Sequence, residues 1–537
     1  MKASALELCG MLAACGGASV ALLARDARVR YGALMVALIV APALVAGNVW
    51  DSPRLVELRD DPAKLAAGIV LVLAGIAVAA AVFRRFPWTF PVALFAVLPL
   101  RVPLHFAGQT SHLLVPLYLV IAAGVARGVY ALVAARKASD ADGRPWHRPA
   151  FASGMDPSAV VWLRRVLAAT LLLYAIQTAY SVDVSNAIEN ACFFLVPFAA
   201  MFVLLEEVRW TQQLLGRVLV AVTAMGLLFA AVGFWEYAAR DLLLSRGDLL
   251  RANQLHLYFR VNSLFYDPNV LGRYLALTLV ALGAYLAWSR GRRLPIVAAA
   301  ASAVLLGALA LTYSMTSFAA LVAGLLVLVA LRWSIRHALA AGAAIAVCGA
   351  IFLLVSGTAG RDLGSARSVD TTTSGRVDLV KGGLNLARHR PVWGWGSGSF
   401  GAAFARHHKA ARTTVSHSEP ITVAAEQGAI GMVLYVALLA VALVVLLTGA
   451  GGSAATAAVA ACFVAMIAHS LGYAGFAIDP HVNASHGKAQ RGRITRTTSP
   501  MAAVIPTNEE LMIAKDTASI VSSSDETASR GALYALP

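Results

Sequence analysis

Residues 294–331 read LPIVAAAASAVLLGALALTYSMTSFAALVAGLLVLVAL, 38 positions without one Asp, Glu, Lys or Arg. A helix needs about 20 apolar residues to cross a bilayer. This run is too long for one crossing and suits two, with the turn at Leu311-Thr312-Tyr313-Ser314. Arg290, Arg292 and Arg293 precede it, and Arg332 and Arg336 follow it. Short basic loops mark the cytoplasmic side of a threaded chain, so the turn falls outside.

The same pattern extends in both directions. Apolar runs near 5–24, 32–49, 65–83, 87–104, 112–134, 161–180, 187–206, 214–236, 269–289, 295–313, 317–333, 337–356, 421–448 and 454–477 give about fourteen expected spans. The fold class expected is an all-α polytopic membrane protein. Mean hydropathy is +0.71, with 59% hydrophobic and only 13% charged residues. A soluble chain carries about a quarter charged residues, so the apolar excess here must face lipid. The formal net charge of +16 belongs to topology and not to nucleic acid, because the basic residues cluster in loops between spans. Arg25 to Arg30, Arg84-Arg85, Arg136 to Arg165, Arg209 to Arg217, Arg290 to Arg293 and Arg332 to Arg336 are assigned to the cytoplasm. Asp51, Glu57, Asp60, Asp61, Asp183 and Glu189 are assigned outside. The basic cluster after the first apolar run favours a retained first helix with its N-terminus outside. Cys9, Cys15, Cys192, Cys348 and Cys462 lie inside apolar runs without metal-site spacing, so neither disulfides nor a metal is expected. Three regions follow: N-terminal helices (1–236), a polar-looped region (237–480) and a polar, disordered tail (481–537).

Two outer loops, 237–268 and 357–420, hold the chemistry-bearing residues. The first ends in Tyr266-Asp267-Pro268-Asn269, a helix start flanked by Arg260 and Arg273. Arginines beside a helix N-terminus suit an anion, and a guanidinium grips phosphate through paired hydrogen bonds. The second carries Gly375-Arg376, then Arg390-Pro391-Val392-Trp393-Gly394-Trp395-Gly396-Ser397-Gly398-Ser399-Phe400, then Ser416-His417-Ser418-Glu419-Pro420. Residues 378–387 form a short amphipathic helix in this reading, with Leu379, Gly383, Leu384 and Leu386 toward the membrane surface. Trp393 and Trp395 suit the interface, their indole N–H groups wet. His417 is the proton-handling candidate, with Glu419 beside it and Glu426 farther into the next helix. Each signal has a bland counterpart: an arginine paired with headgroups, a solvated histidine, a Trp anchor, or Arg127 merely snorkelling.

Taken in order, these residues resemble the O-antigen ligase and polymerase superfamily (Wzy/WaaL type). The resemblance runs from about Arg260 to Gly431 and rests on Arg260 with Phe265-Tyr266-Asp267-Pro268-Asn269, Leu311-Thr312-Tyr313-Ser314, Gly375-Arg376, Arg390 to Phe400, Ser416 to Pro420, and Glu426-Gln427-Gly428-Ala429-Ile430-Gly431. It implies a GT-C-like, metal-independent, inverting glycosyltransferase of the cytoplasmic membrane, working on its outer face without a cofactor. The implied donor is a glycan on polyprenyl (undecaprenyl) diphosphate, and the acceptor is a hydroxyl on a glycolipid, glycan or protein. Arg260 and Arg376 would bind the diphosphate, Arg390 would match a further basic position, and His417 would be the essential histidine. Asp267, Asn269, Trp393, Trp395 and Glu426 would support them. Where the family commonly has an arginine after its Thr-x-Ser element, Met315 stands here. Past Asp479-Pro480, where relatives continue into another membrane helix, this sequence turns polar. A polymerase, or transfer to a protein hydroxyl, differs only in the acceptor. A lipid-linked glycan flippase would instead gather charges at the bilayer midplane.

Overall fold

The computed structural model describes residues 3–48, 60–106, 109–142, 157–244, 259–291, 293–355, 376–408 and 418–470, with Trp50 and Val56 besides. The chain divides into two units. The first, Met1–Val347 with Val380–Tyr473, holds nearly everything described. Of the second, Cys348–Leu379 with Ala474–Pro537, the described parts are the end of one helix and the start of another. The tail expected at 481–537 lies outside the described residues.

The first helices are α1 (Ala5–Leu23), α2 (Ala27–Asn48), α3 (Pro62–Arg85) and the short α4 (Thr89–Val97). An antiparallel hairpin follows, β1 (Val102–Phe106) with β2 (Gln109–Leu113), pairing Leu104 with Ser111. Then come α5 (Val115–Asp142), α6 (Pro157–Gln177), α7 (Val184–Asn190) and α8 (Val196–Glu206), the last two joined by a π turn. The remainder are α9 (Gln212–Ala239), α10 (Pro268–Trp288), α11 (Arg293–Leu311), α12 (Met315–Arg332), α13 (Ile335–Val355), α14 (Arg376–His389), α15 (Phe400–His408), α16 (Glu419–Leu447) and α17 (Ala454–Ser470).

Among the described residues, eleven helices are long and apolar enough to cross a membrane. The spans expected at 337–356 and 454–477 are represented by shorter apolar stretches, Ile335–Cys348 and Ala454–Ser470. The one expected at 87–104 is broken: α4 has 9 residues, about 14 Å of helix against a hydrocarbon core of about 30 Å. Pro103 keeps the helix from resuming, since it lacks an N–H and disfavours helical backbone at Val102. The chain still travels between the two ends of the bundle. Trp88 lies under Arg217 near the start of α9, at 4.4 Å, and Leu100 packs on the core that contains Phe265 and Leu271 at the start of α10.

Two apolar cores hold the helices. One gathers α1, α2, α4 to α8 around Met11, Leu34, Phe90, Ile121 and Leu204. The other gathers α9 to α12 and α17 around Phe229, Leu275, Leu305 and Ala461. The outward faces remain apolar. On α3, Leu71 is 74% exposed, which only lipid makes inexpensive. One end of the bundle is basic. Arg30 pairs with Glu207 at 3.1 Å and Arg164 with Glu206 at 2.8 Å. Arg127 belongs to this end, over the Phe90 ring and acting on Tyr31, whose hydroxyl bonds Glu207. At the opposite end meet the ends of α6, α9, α11 and α17 and the starts of α7, α10, α12 and α16.

Candidate active site

That opposite end carries two polar clusters. The first is built on the start of α10. Asp267 is its N-cap and accepts from the Asn269 amide at 2.7 Å, with Pro268 preset for the first turn. Arg260 is fixed by two bonds: its Nε donates to the Thr312 carbonyl at 2.9 Å and its Nη2 to Asn269 Oδ1 at 3.3 Å. Ser314, the N-cap of α12, donates to the same Asn269 oxygen at 2.9 Å and contacts Ser317 Oγ at 2.8 Å. Thr316 extends the network to buried His469, 3.4 Å away on α17. The turn 311–314 therefore positions Arg260, and exposed Met315 takes no part in these bonds.

A residue that sequence reasoning missed locks this arginine loop. Glu236, fully buried at the end of α9, accepts from Asn262 N at 2.9 Å and Ser263 N at 2.7 Å through one oxygen, and from Leu243 N at 3.0 Å through the other. The signal was a lone carboxylate inside an apolar span, which is retained only for a purpose. Glu236→Ala would strand the buried amides of Asn262 and Ser263, each worth about 1 kcal/mol or more, and free the part-buried amide of Leu243. The expected result is a melting temperature several degrees lower and faster proteolysis within 237–268, with Glu236→Gln milder; an unchanged melting curve would refute the lock.

The second cluster is the turn between α14 and α15. Its backbone is woven into the start of α16: Trp395 N donates to Ala425 O at 3.0 Å, Gly396 N to Glu426 O at 2.9 Å, and Ala429 N to Pro391 O at 2.7 Å. Glu426 is buried and supports the turn from below. Its two carboxylate oxygens accept from Gly398 N and Phe400 N, each at 2.9 Å. The close weave is possible because Gly428 breaks α16 at φ 66°, ψ −160°, a conformation that is essentially glycine's alone. From the other side Ser181 Oγ donates to Ser397 O at 2.7 Å, Asn186 Nδ2 to Gly398 O at 2.6 Å and Tyr180 OH to Trp393 O at 2.7 Å. Gln177 Nε2 reaches Gln427 O at 3.2 Å.

Two expectations change here. The indole of Trp395 is not wet: it donates to the Leu386 carbonyl at 2.9 Å, and Arg390 stacks on its ring at 4.1 Å. Trp393 is the interfacial one, 60% exposed. On α14, Leu386 and Gly383 face protein and not the membrane surface. Leu386 is fully buried, and a side chain at 383 would meet Phe400 and Ile421. Leu384 alone of the described set points outward.

The described contacts thus keep Arg260 and Arg390 in separate clusters at one end. Arg390, Pro391, Val392, Trp393, Gly394 and Tyr180 line an open recess of about 570 Å³. Arg376 opens α14, but its side chain lies outside the described residues, as does His417. Glu419 is the first residue of α16 and acts on the charge of Arg273 in the first cluster. Among the described residues no group of three His, Cys, Asp or Glu could hold a metal ion.

Residues 300–436 match the family described as O-Antigen ligase. The match takes in the 311–314 turn, Arg376, Arg390, the 393–400 turn, His417, Glu419 and Glu426, while Arg260, Asp267 and Asn269 precede it. It supports an O-antigen ligase/polymerase superfamily membrane protein. No curated protein matches the chain.

Proposed function

Starting from an O-antigen ligase domain at residues 300–436, we propose that this protein transfers a glycan from a polyprenyl diphosphate to an acceptor hydroxyl on the outer face of the cytoplasmic membrane. The observation that carries the reading is Arg260. Its guanidinium is held by Thr312 and Asn269 at a helix N-terminus, at the same end as the 393–400 turn.

The chemistry follows from charge. The bond from the sugar's anomeric carbon to the diphosphate oxygen breaks, and a bond to the acceptor oxygen forms. The departing diphosphate gains negative charge. A guanidinium already fixed in place stabilises that charge without reorganising. Arg376, at the head of α14, is the second phosphate contact in this reading. The acceptor's proton passes to His417, with Glu419 two residues on to orient the ring. Displacement in one step inverts the anomeric carbon.

The test uses purified protein, a polyprenyl-diphosphate glycan and a panel of glycolipid, glycan and protein acceptors. Arg260→Ala is expected to lower transfer by roughly a hundredfold, the usual scale for a lost charge-stabilising donor, and a chelator to leave the rate unchanged. Near-wild-type transfer by Arg260→Ala, or a strict divalent-ion requirement, would overturn the arginine account. The acceptor consumed separates a ligase from a polymerase.

A further inference from the structure

Arg273 lies in α10, inside a membrane-crossing helix, where a cation is costly and is kept for function. It stands four residues after Asn269, on the same helix face. Helical side chains lean toward the N-terminus, so its guanidinium is directed to the end that holds Arg260. Its Nε is shielded from solvent and has no hydrogen-bond partner among the described residues. A buried donor left unmade costs free energy, and a ligand oxygen would remove that cost.

A second arginine comes from the broken crossing. After α4 the chain turns at Leu98–Leu100, Leu100 packs on the core that includes Phe265 and Leu271, and Arg101 follows, exposed. Arg101, Asp267 and Glu419 all act on the charge of Arg273, and Asp267 acts on Arg101. Neither arginine makes an ion pair among the described residues. Arg101 and Arg273 still repel each other across Asp267 and Glu419, and an anion between the two cations relieves that repulsion. Arg273 is one turn deeper along α10 than Asn269 and Arg260's contact with it.

We infer that Arg101 and Arg273 bind the lipid-side phosphate of the carrier, the one esterified to the polyprenyl chain, while Arg260 serves the sugar-side phosphate. The inference rests on the function proposed above. The shared chemistry is a phosphate ester at the membrane surface, which a phospholipid headgroup also offers.

The experiment measures binding of undecaprenyl diphosphate and undecaprenyl monophosphate to the full chain in nanodiscs, once in phosphatidylcholine and once with phosphatidylglycerol added. Charge-assisted bonds are worth about 1.5–3 kcal/mol, so Arg101→Gln and Arg273→Gln should each weaken both ligands by roughly tenfold to a hundredfold. The monophosphate should lose as much as the diphosphate, and Arg260→Gln should affect the diphosphate mainly. Arg273→Lys keeps the charge without the planar fork and should fall between; it also guards against misfolding of the glutamine variant. Wild-type affinity in the Arg101 and Arg273 variants, with loss confined to Arg260→Gln, would overturn this inference and leave the proposed function standing. Equal overturning force lies in a loss seen only against added phosphatidylglycerol, which would make this a headgroup site. A wild-type chain that binds neither prenyl phosphate would overturn the proposed function and this inference with it.

Discussion

His417→Ala is expected to remove glycan transfer while expression and membrane insertion remain normal. A positioned general base contributes about two to four orders of magnitude, and an acceptor hydroxyl is a poor nucleophile without one. Imidazole, with an unperturbed pKa near 6.5, can take that proton at neutral pH. In sequence His417 precedes Ser418, the N-cap of α16, the helix whose next turns weave with the 393–400 turn. The informative comparison is His417→Gln, which keeps a hydrogen bond but accepts no proton. Loss in both variants identifies a base. Activity retained in Gln and lost in Ala would make the residue a positioning group, and activity retained in both would remove it from the mechanism. The measurement is initial rate of carrier consumption at saturating donor, with insertion checked by membrane fractionation.

Gly428→Ala is the second large effect. A Cβ there would lie 2.4 Å from the Val392 carbonyl oxygen, closer than any real contact, and the backbone conformation is one that alanine avoids. Strain of about 1–3 kcal/mol from the dihedrals alone adds to the clash. Both neighbours are backbone, so neither can swing aside. The weave between residues 391–396 and 425–430 must open, Glu426 loses its amides, and activity goes with them. The expected signature is a melting temperature lowered by many degrees and loss of transfer. Gly452→Ala, where a Cβ meets nothing within 4 Å, serves as the control and should melt like wild type. Equal melting curves for the two variants would show that the weave does not hold the turn.

Much of the fold is legible in the sequence. Apolar runs bounded by arginines predicted most of the helices, because lipid forces each crossing to satisfy its own backbone. Asp267-Pro268-Asn269 signalled a helix start, and α10 begins there. The break after α4 was less visible. Residues 87–104 are apolar enough to span, and hydropathy averages over a single Pro103. Of the candidate site, the cations stand out in the sequence and the residues that hold the loops do not. Arg260 and Arg390 stand out in polar loops between apolar runs, whereas Glu236, Gln177, Ser181 and Asn186 act through long-range bonds to backbone. Periodicity carries no information about such partners. The orientation of α14 was misjudged for a related reason. Leucines on an amphipathic helix point to whatever is apolar nearby, and here Phe400 and Ile421 offered that surface before the membrane did.

The anchoring of the 393–400 turn bears on how such proteins can be recombined. Besides its bonds to α16, the turn has hydrogen-bond partners more than two hundred positions earlier, at Gln177, Ser181 and Asn186, before the matched family segment begins. A chimera that transplants only residues 376–436 from another chain would import a turn without its sockets. Exchanging residues 174–186 together with that segment would carry these hydrogen bonds across intact, so the unit to exchange is two pieces of chain and not one.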